Sequence, residues 1–285
     1  MALADLVEYF NDRFEREHQA HYRPLSVENN RVTGVFGQLS ISSIFSPLRQ
    51  ISNVTNVSGH AVKIKVSANE SPYLHNYEMD NLALNSADTY IHFESVINFD
   101  RLARTVHMLN YLPLAQSNKV LFLEVDPRHI LGIKKDHGAY FETVIEQCGL
   151  TTQNTVIVLA ITNNYVKYND ALIRGLSNYR QRGYQIALRF DHLISDKHAA
   201  ELIFKLTPDF VSLSARQIET ANGTNSLTRL HSLKRIISTN SGKGILRQID
   251  GKNSEILARH SGFEFVEGSY YENLITEQQP IIVRS

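Results

Sequence analysis

The run RGYQIALRFDHLISDKHAAELIFKLTPDFVSLSAR, residues 182–216, decides the fold. Gly183 ends a preceding helical pattern, and residues 184–190 form a mostly apolar run of strand length. Ala199, Leu202, Ile203 and Leu206 then recur at helical spacing. Pro208 and Asp209 break that pattern ahead of the apolar Phe210-Val211-Ser212-Leu213. Two strands joined by a helix make a βαβ unit, whose crossover forces parallel strands with both sheet faces covered.

The alternation extends outward on both sides. Residues 119–125 (KVLFLEV) form a buried strand and 140–147 a helix; 155–161 (TVIVLAI), β-branched and apolar, is the strongest strand, and 169–181 is helical. Beyond the central unit come a helix at 227–238, a strand at 244–249, a helix at 253–260 and a strand at 263–266, with 268–272 leading out. Strand–helix alternation over about half the chain predicts an α/β fold, a parallel (β/α)8 TIM-like barrel. A doubly wound open sheet is the alternative, but no glycine-rich phosphate loop follows any strand.

The N-terminal part is less regular. Leu6, Val7, Phe10 and Phe14 place a helix over 5–19 that docks on the core, so residues 1–20 read as a helical extension and 21–285 as the barrel domain. Asn29-Asn30 turns the chain into a strand at 31–43, making a β-hairpin. Residues 44–95 read as irregular, with a short strand at 61–66 and a loop over 72–85, before a helix at 99–112.

Composition narrows the function. Lysine plus arginine equals aspartate plus glutamate at 29 each, so no global charge points to nucleic acid or an anionic membrane. There is no tryptophan, and no basic–aromatic stripe for nucleic acid. A single cysteine, Cys148, excludes an internal disulfide and reads as a buried thiol. No apolar run approaches the roughly 18 residues of a membrane span, and the acidic amphipathic N-terminus is unlike a signal peptide, so a cytoplasmic protein is expected. His18/His21 and His129/His137 come nearest to metal-ligand spacing, without an HExxH pattern. His129 closes LEVDPRH, which reads as an exposed loop of charges; a general acid–base site is the sharper alternative. Ser212 and Ser214 lack the Gly-x-Ser-x-Gly context of a hydrolase nucleophile.

Five segments then follow one another in a familiar order: His21-Tyr22-Arg23-Pro24-Leu25 with Gly34, Gly149-Leu150 with 155–162, residues 183–190, Pro208-Asp209-Phe210-Val211, and GFEFVEGSYY at 262–271. Together they resemble the EAL-domain family, the barrel enzymes that hydrolyse cyclic di-GMP, over residues 20–275. In that family, acidic residues at the C-terminal strand ends hold divalent metals that generate hydroxide and stabilise charge on the phosphate. The resemblance puts Phe36-Gly37-Gln38 at the signature tripeptide and Ser40 at the arginine after it. Glu124 falls at an asparagine ligand, Ala160 at a glutamate, and Thr162 and Asn163 at the end of the same motif. Arg189 and Phe190 fall at the paired aspartates, and Ser212 at the lysine that helps activate water. Arg247 and Asp250 fall at two glutamates and Glu267 at the closing glutamine.

Phe36 and Ala160 supply no metal ligand, while Arg189 and Arg247 put fixed positive charge where metal would sit. The resemblance therefore implies an EAL-type barrel with no catalytic residues, metal or cofactor, acting as a regulatory protein-interaction module in cyclic di-GMP-linked signalling. Its partner would be a protein, with cyclic di-GMP as a second ligand and homodimers as a further expectation. The first helix and residues 44–95 are the expected added surfaces. One alternative is a metal-independent cyclic di-GMP receptor with an anion site at Arg189, Arg247, Glu124, Asn163 and Glu267. Others are a weak cyclic di-GMP phosphodiesterase, or new chemistry at Glu124, Asp126 and Asp191. The plain reading of the two arginines is that they neutralise the strand-end carboxylates.

Overall fold

The computed structural model describes residues 2–17, 21–68, 71–74, 93–115, 119–133, 135–190, 196–221 and 226–278. Helix α1 (Leu3–Glu17) leads into a run of strands: β1 (Leu25–Glu28), β2 (Arg31–Phe36), β3 (Leu39–Gln50), β4 (Asn53–Ala68) and β5 (Ser71–Leu74). Helix α2 (Phe93–Tyr111) follows, then β6 (Val120–Glu124), α3 (Pro127–Gly132), α4 (Ala139–Gln147), β7 (Thr155–Ile161), α5 (Asn169–Gln181) and β8 (Gln185–Phe190). The chain continues through α6 (Asp196–Leu206), β9 (Phe210–Ser214), α7 (Ala215–Ala221), α8 (Ser226–Thr239), β10 (Lys243–Arg247), α9 (Lys252–Ser261), β11 (Phe265–Val266) and α10 (Ser269–Gln278).

Eight strands close a barrel in the order β3-β11-β10-β9-β8-β7-β6-β4, and the β3–β4 pairing completes the ring. The expected α/β barrel is present, but it is not all parallel. Strands β4 and β6–β11 run parallel, whereas β3 is antiparallel to both β4 and β11. Only residues 51 and 52 separate β3 from β4, and so short a link allows a hairpin but not a parallel crossover.

Period-two alternation sorts each ring strand into an inner and an outer set. Leu48, Phe122, Val156, Val158, Ala187, Phe210, Ile245 and Phe265 fill the barrel interior as one apolar cluster, with Phe210 edge-on to Phe122 at 5.0 Å. Ala187 leaves room for those rings, so the interior is a plug and not a pore. Outward residues such as Ile157, Leu159, Ile186, Leu188 and Val211 pack beneath the helices in a separate cluster.

Residues 44–95 differ most from the sequence reading. The short strand at 61–66 is the middle of the 16-residue β4, and β3 runs 12 residues beside it. Residues 71–74 form β5, while 75–92 lie outside the described residues. Serine and lysine alternate here with apolar residues, which diluted the apolar signal although the period is that of a strand. One face carries Ile41, Val62 and Val66, all buried against α2, where Leu102, Val106 and Leu109 are fully enclosed. A Cβ on Gly34 would lie 2.9 Å from Val106 Cγ2, so glycine lets α2 approach β2 closely. Residues 268–272 do not simply lead out; they open helix α10. Helix α1 buries Leu6, Val7, Phe10 and Phe14, and Asn11 donates to Leu25 O (2.9 Å) and accepts from Leu25 N (2.8 Å). Its apolar face is therefore covered, and α1 closes the β1 edge instead of offering an apolar docking surface.

Candidate functional site

At the C-terminal strand ends, each inward row steps two residues from the apolar plug to a polar mouth. Phe122 gives way to Glu124, Val158 to Ala160, Ala187 to Arg189, Phe210 to Ser212, Ile245 to Arg247 and Phe265 to Glu267. On β4, Ala61 packs on the plug opposite Phe122, and Lys63, two residues on, stands level with Glu124.

The mouth is ion-paired. Arg189 grips Glu124 as a fork, Nη2 donating to Oε1 at 2.8 Å and Nη1 to Oε2. Lys63 Nζ lies 3.4 Å from Glu267 Oε1, and the Glu267 side chain is only 6% exposed. A carboxylate so enclosed needs its cation close by. Arg247 Nε donates to Ser212 Oγ at 2.7 Å. Ser212 is the register partner of Arg189, so Arg247 leans across β9 toward the Arg189 strand. Among the described residues, the inward positions of the mouth thus carry the cations Lys63, Arg189 and Arg247 and the carboxylates Glu124 and Glu267.

Four of the five residues predicted for an anion site, Arg189, Arg247, Glu124 and Glu267, therefore ring the mouth. Asn163 opens the exposed 3-10 turn Asn163–Tyr168 on the rim above β7. Arg189 neutralises Glu124 as the plain reading held, but Glu267 takes its cation from Lys63, which the sequence did not suggest. Asp126 instead caps α3, accepting from Arg128 N at 2.8 Å, and is held by the Arg128 guanidinium. Asp250 accepts from Ser269 Oγ at 2.8 Å, and Asp191 lies outside the described residues.

Two placements are corrected. Phe36, assigned to a metal-ligand position, lies outside the closed ring with its side chain edge-on to Phe99 at 5.4 Å. The ring takes its hairpin from β3 and β4, and the mouth position there is Lys63. The β1–β2 hairpin at 25–36 misled because its turn, with Asn29 and Asn30 at φ 50° and 59°, is the more conspicuous signal. His129 is also not on an exposed loop: it is 2% exposed, within a buried charged network. Its Nδ1 lies 2.8 Å from Asp100 Oδ2, and its Nε2 faces Arg104 Nη2 at 3.2 Å. Arg104 Nη2 also lies 3.4 Å from Nδ1, so the guanidinium faces both ring nitrogens.

Burial pushes the Asp100 carboxyl up, but Arg104 and His129 overcome this and hold it at about 2. Burial lowers the His129 pKa against the opposing pull of Asp100. Asp100 Oδ1 also accepts from Asp126 N at 3.2 Å, fixing the β6–α3 connection just past Glu124. The signal was available in sequence: Asp100 and Arg104 are four apart on a helix, a spacing that forms ion pairs. His21 is exposed, and His18 lies outside the described residues. Burial pushes the Cys148 thiol up to about 12. Ser212 and Ser214 are buried. Among the described residues no three His, Cys, Asp or Glu side chains are grouped to hold a metal ion, and no helix is long and apolar enough to cross a membrane.

No protein-family model matches the sequence, and no curated protein matches it. Solved structures do. The Bacillus subtilis YkuI protein, with an EAL domain and in complex with its substrate c-di-GMP and calcium, superposes with a TM-score of 0.63 at 18% identity, over 81% of this chain and 54% of that one. Klebsiella pneumoniae BlrP1, in a manganese and cyclic di-GMP complex, gives 0.65 at 14% identity, over 80% and 54%. The Xanthomonas citri FimX EAL domain in complex with c-di-GMP gives 0.65 at 11% identity, over 81% and 86%. The chain thus spans about half the length of the first two. At these identities the likeness concerns the fold, which is that of an EAL-type barrel.

Proposed function

We propose that this barrel works by binding and not by metal-dependent hydrolysis, as a regulatory protein-interaction module in cyclic di-GMP-linked signalling. The ion-paired mouth carries the reading. Two-metal phosphodiester cleavage needs several carboxylates around metals about 4 Å apart. Here the corresponding inward positions are Lys63, Arg189 and Arg247, and the carboxylates Glu124 and Glu267 are held by two of them. A metal ion entering would face fixed positive charge, because arginine stays protonated at any working pH. The donor set does not fit two divalent cations, so no step is assigned to them.

The direct test incubates pure protein with cyclic di-GMP and Mg²⁺ or Mn²⁺ and looks for the linear dinucleotide. No product is expected. Turnover that disappears in Glu124→Gln would overturn the proposal.

A second reading rests on one observation: Arg247 reaches Ser212, the register partner of Arg189, so two arginines stand at the mouth on the strands that flank β9. Such a pair suits a phosphodiester, and the named neighbours were solved with c-di-GMP. Calorimetry with cyclic di-GMP in the absence of metal decides it. Heat lost in Arg189→Ala and Arg247→Ala supports a receptor; a flat titration of the wild type removes it.

A further inference from the structure

Helices α3 and α5, which follow β6 and β7, meet at Gly175, where a Cβ would come within 2.2 Å of Ile130 Cγ2. Beside that contact a cleft of about 470 Å³ opens between α5 and the chain from Ile130 to His137. Its volume is that of a small-molecule site. The walls are held by one buried ring. His137 is 6% exposed; its Nε2 donates to Ile130 O at 2.8 Å, and its Nδ1 is hydrogen-bonded with Asn178 Nδ2 at 3.0 Å. The end of α3, the segment after it and α5 are thereby tied together, so the cleft needs little ordering to receive a ligand.

Helix α5 turns one stripe toward this cleft: Ala171, Arg174, Asn178 and Gln181, spaced by three and four residues. Facing it are Ile130, Leu131 and Ile133, an apolar wall. Arg174 and Gln181 are exposed, and among the described residues neither has a hydrogen-bond or ion-pair partner. The charge around them is positive. The only acids in residues 130–137 and 169–181 are Asp136 and Asp170, against Lys134, Lys135, Arg174 and Arg180. Both acids also have cations of their own: Arg182 Nη2 lies 3.2 Å from Asp136, and Lys205 Nζ 3.6 Å from Asp170. Arg180 is spent on the carbonyls of Leu206 and Thr207, which leaves Arg174 as the cation free inside the cleft.

We propose that this cleft binds a small amphipathic anion, a carboxylate carried on a hydrocarbon body, at a site separate from the barrel mouth. The guanidinium of Arg174 takes the carboxylate as a fork. The body lies along Ile130, Leu131 and Ile133 toward Gln181, seven residues and about 10 Å further down α5 at 1.5 Å per residue. No tyrosine, phenylalanine or tryptophan lines the cleft, so a nucleobase finds no ring to stack on and a cyclic dinucleotide is not the ligand. The inference stands independently of how the mouth is read.

The test titrates the full chain with sodium octanoate by calorimetry, with acetate and octyltrimethylammonium as counterparts that lack the body and reverse the charge. Octanoate should bind at one site per chain, and both counterparts at least about tenfold more weakly. Arg174→Met, which keeps the stem and removes the charge, and Gln181→Glu, which adds a carboxylate to the cleft, should each weaken octanoate by about tenfold or more. Both positions are exposed, and circular dichroism establishes that the variants are folded. Arg16→Met, which removes an exposed cation on α1, should leave binding unchanged. Failure of octanoate to bind, equal binding of either counterpart, or binding indifferent to Arg174→Met or to Gln181→Glu overturns the proposal. Octanoate binding lost in Arg189→Ala would place the anion at the mouth and overturn it as well.

Discussion

His107 offers the most quantitative test of how α2 is joined to β3. It lies on α2, is 6% exposed, and its Nδ1 is hydrogen-bonded with Ser43 Oγ of β3 at 2.7 Å. Burial is the main reason its pKa falls from 6.5 to about 3; Asp100 pulls it up and Arg104 pushes it down. The folded pKa lies below the unfolded one, so the unfolded chain binds the proton more readily between them. His107 therefore contributes its full stabilisation above pH 6.5 and loses it as pH falls toward 3. Between about pH 7.5 and about pH 5 the loss is roughly 2 kcal/mol. With a urea m-value of about 3 kcal/mol/M, the midpoint should fall by about 0.7 M. The depressed pKa values of His60 and His129 act in the same direction and steepen the wild-type slope. Asp100 does not contribute in this window, because its shift acts below pH 3.8. The assay is urea unfolding of wild type and His107→Gln at both pH values. The variant is expected to be less stable at neutral pH, where the packing loss dominates, and to show a pH dependence shallower by about 2 kcal/mol. An unchanged slope in His107→Gln would refute the assignment and, with it, the view that a neutral imidazole joins α2 to β3.

Three further outcomes follow from named contacts. Lys63→Met leaves the enclosed Glu267 carboxylate without its cation and should cost about 1–3 kcal/mol at neutral pH in the same urea assay. Gly175→Ala should destabilise by about 1–3 kcal/mol, seen as a lower Tm, because its Cβ would come within 2.2 Å of Ile130 Cγ2 where α5 crosses α3. Phe210→Ala, at the centre of the barrel plug between Phe122 and Phe265, should cost about 3–5 kcal/mol in denaturant unfolding.

The C-terminal half was legible because each parallel strand is buried on both faces and reads as a continuous apolar run. Residues 155–161 and 169–181 are a strand and a helix within the bounds expected of them. The N-terminal half was harder to read. In β3 and β4 one face is solvated, so Ser40, Ser42, Ser46, Lys63 and Lys65 interrupt the hydrophobic signal. A rise-and-fall of polarity with period two remains, but spread over strands longer than usual, with Pro47 inside β3. The conspicuous Asn-Asn turn marks a hairpin that is present, β1–β2, but lies outside the ring. The burial of His129 is hidden for a similar reason: LEVDPRH is rich in charge, and local polarity does not show that Asp100 and Arg104 arrive from another helix to bury it.

By itself the sequence determined the parallel half of the barrel, the polar residues at its strand ends, and the presence of Arg189 and Arg247 among them. Those follow from local periodicity and from charge that no environment removes. Tertiary structure alone decided which hairpin closes the ring, that Lys63 and not Phe36 faces the mouth, and which cation answers which carboxylate. Ring closure joins residues far apart in sequence: Lys63 meets Glu267 across 204 positions. No local pattern encodes such a pairing, because it exists only once eight strands share one axis.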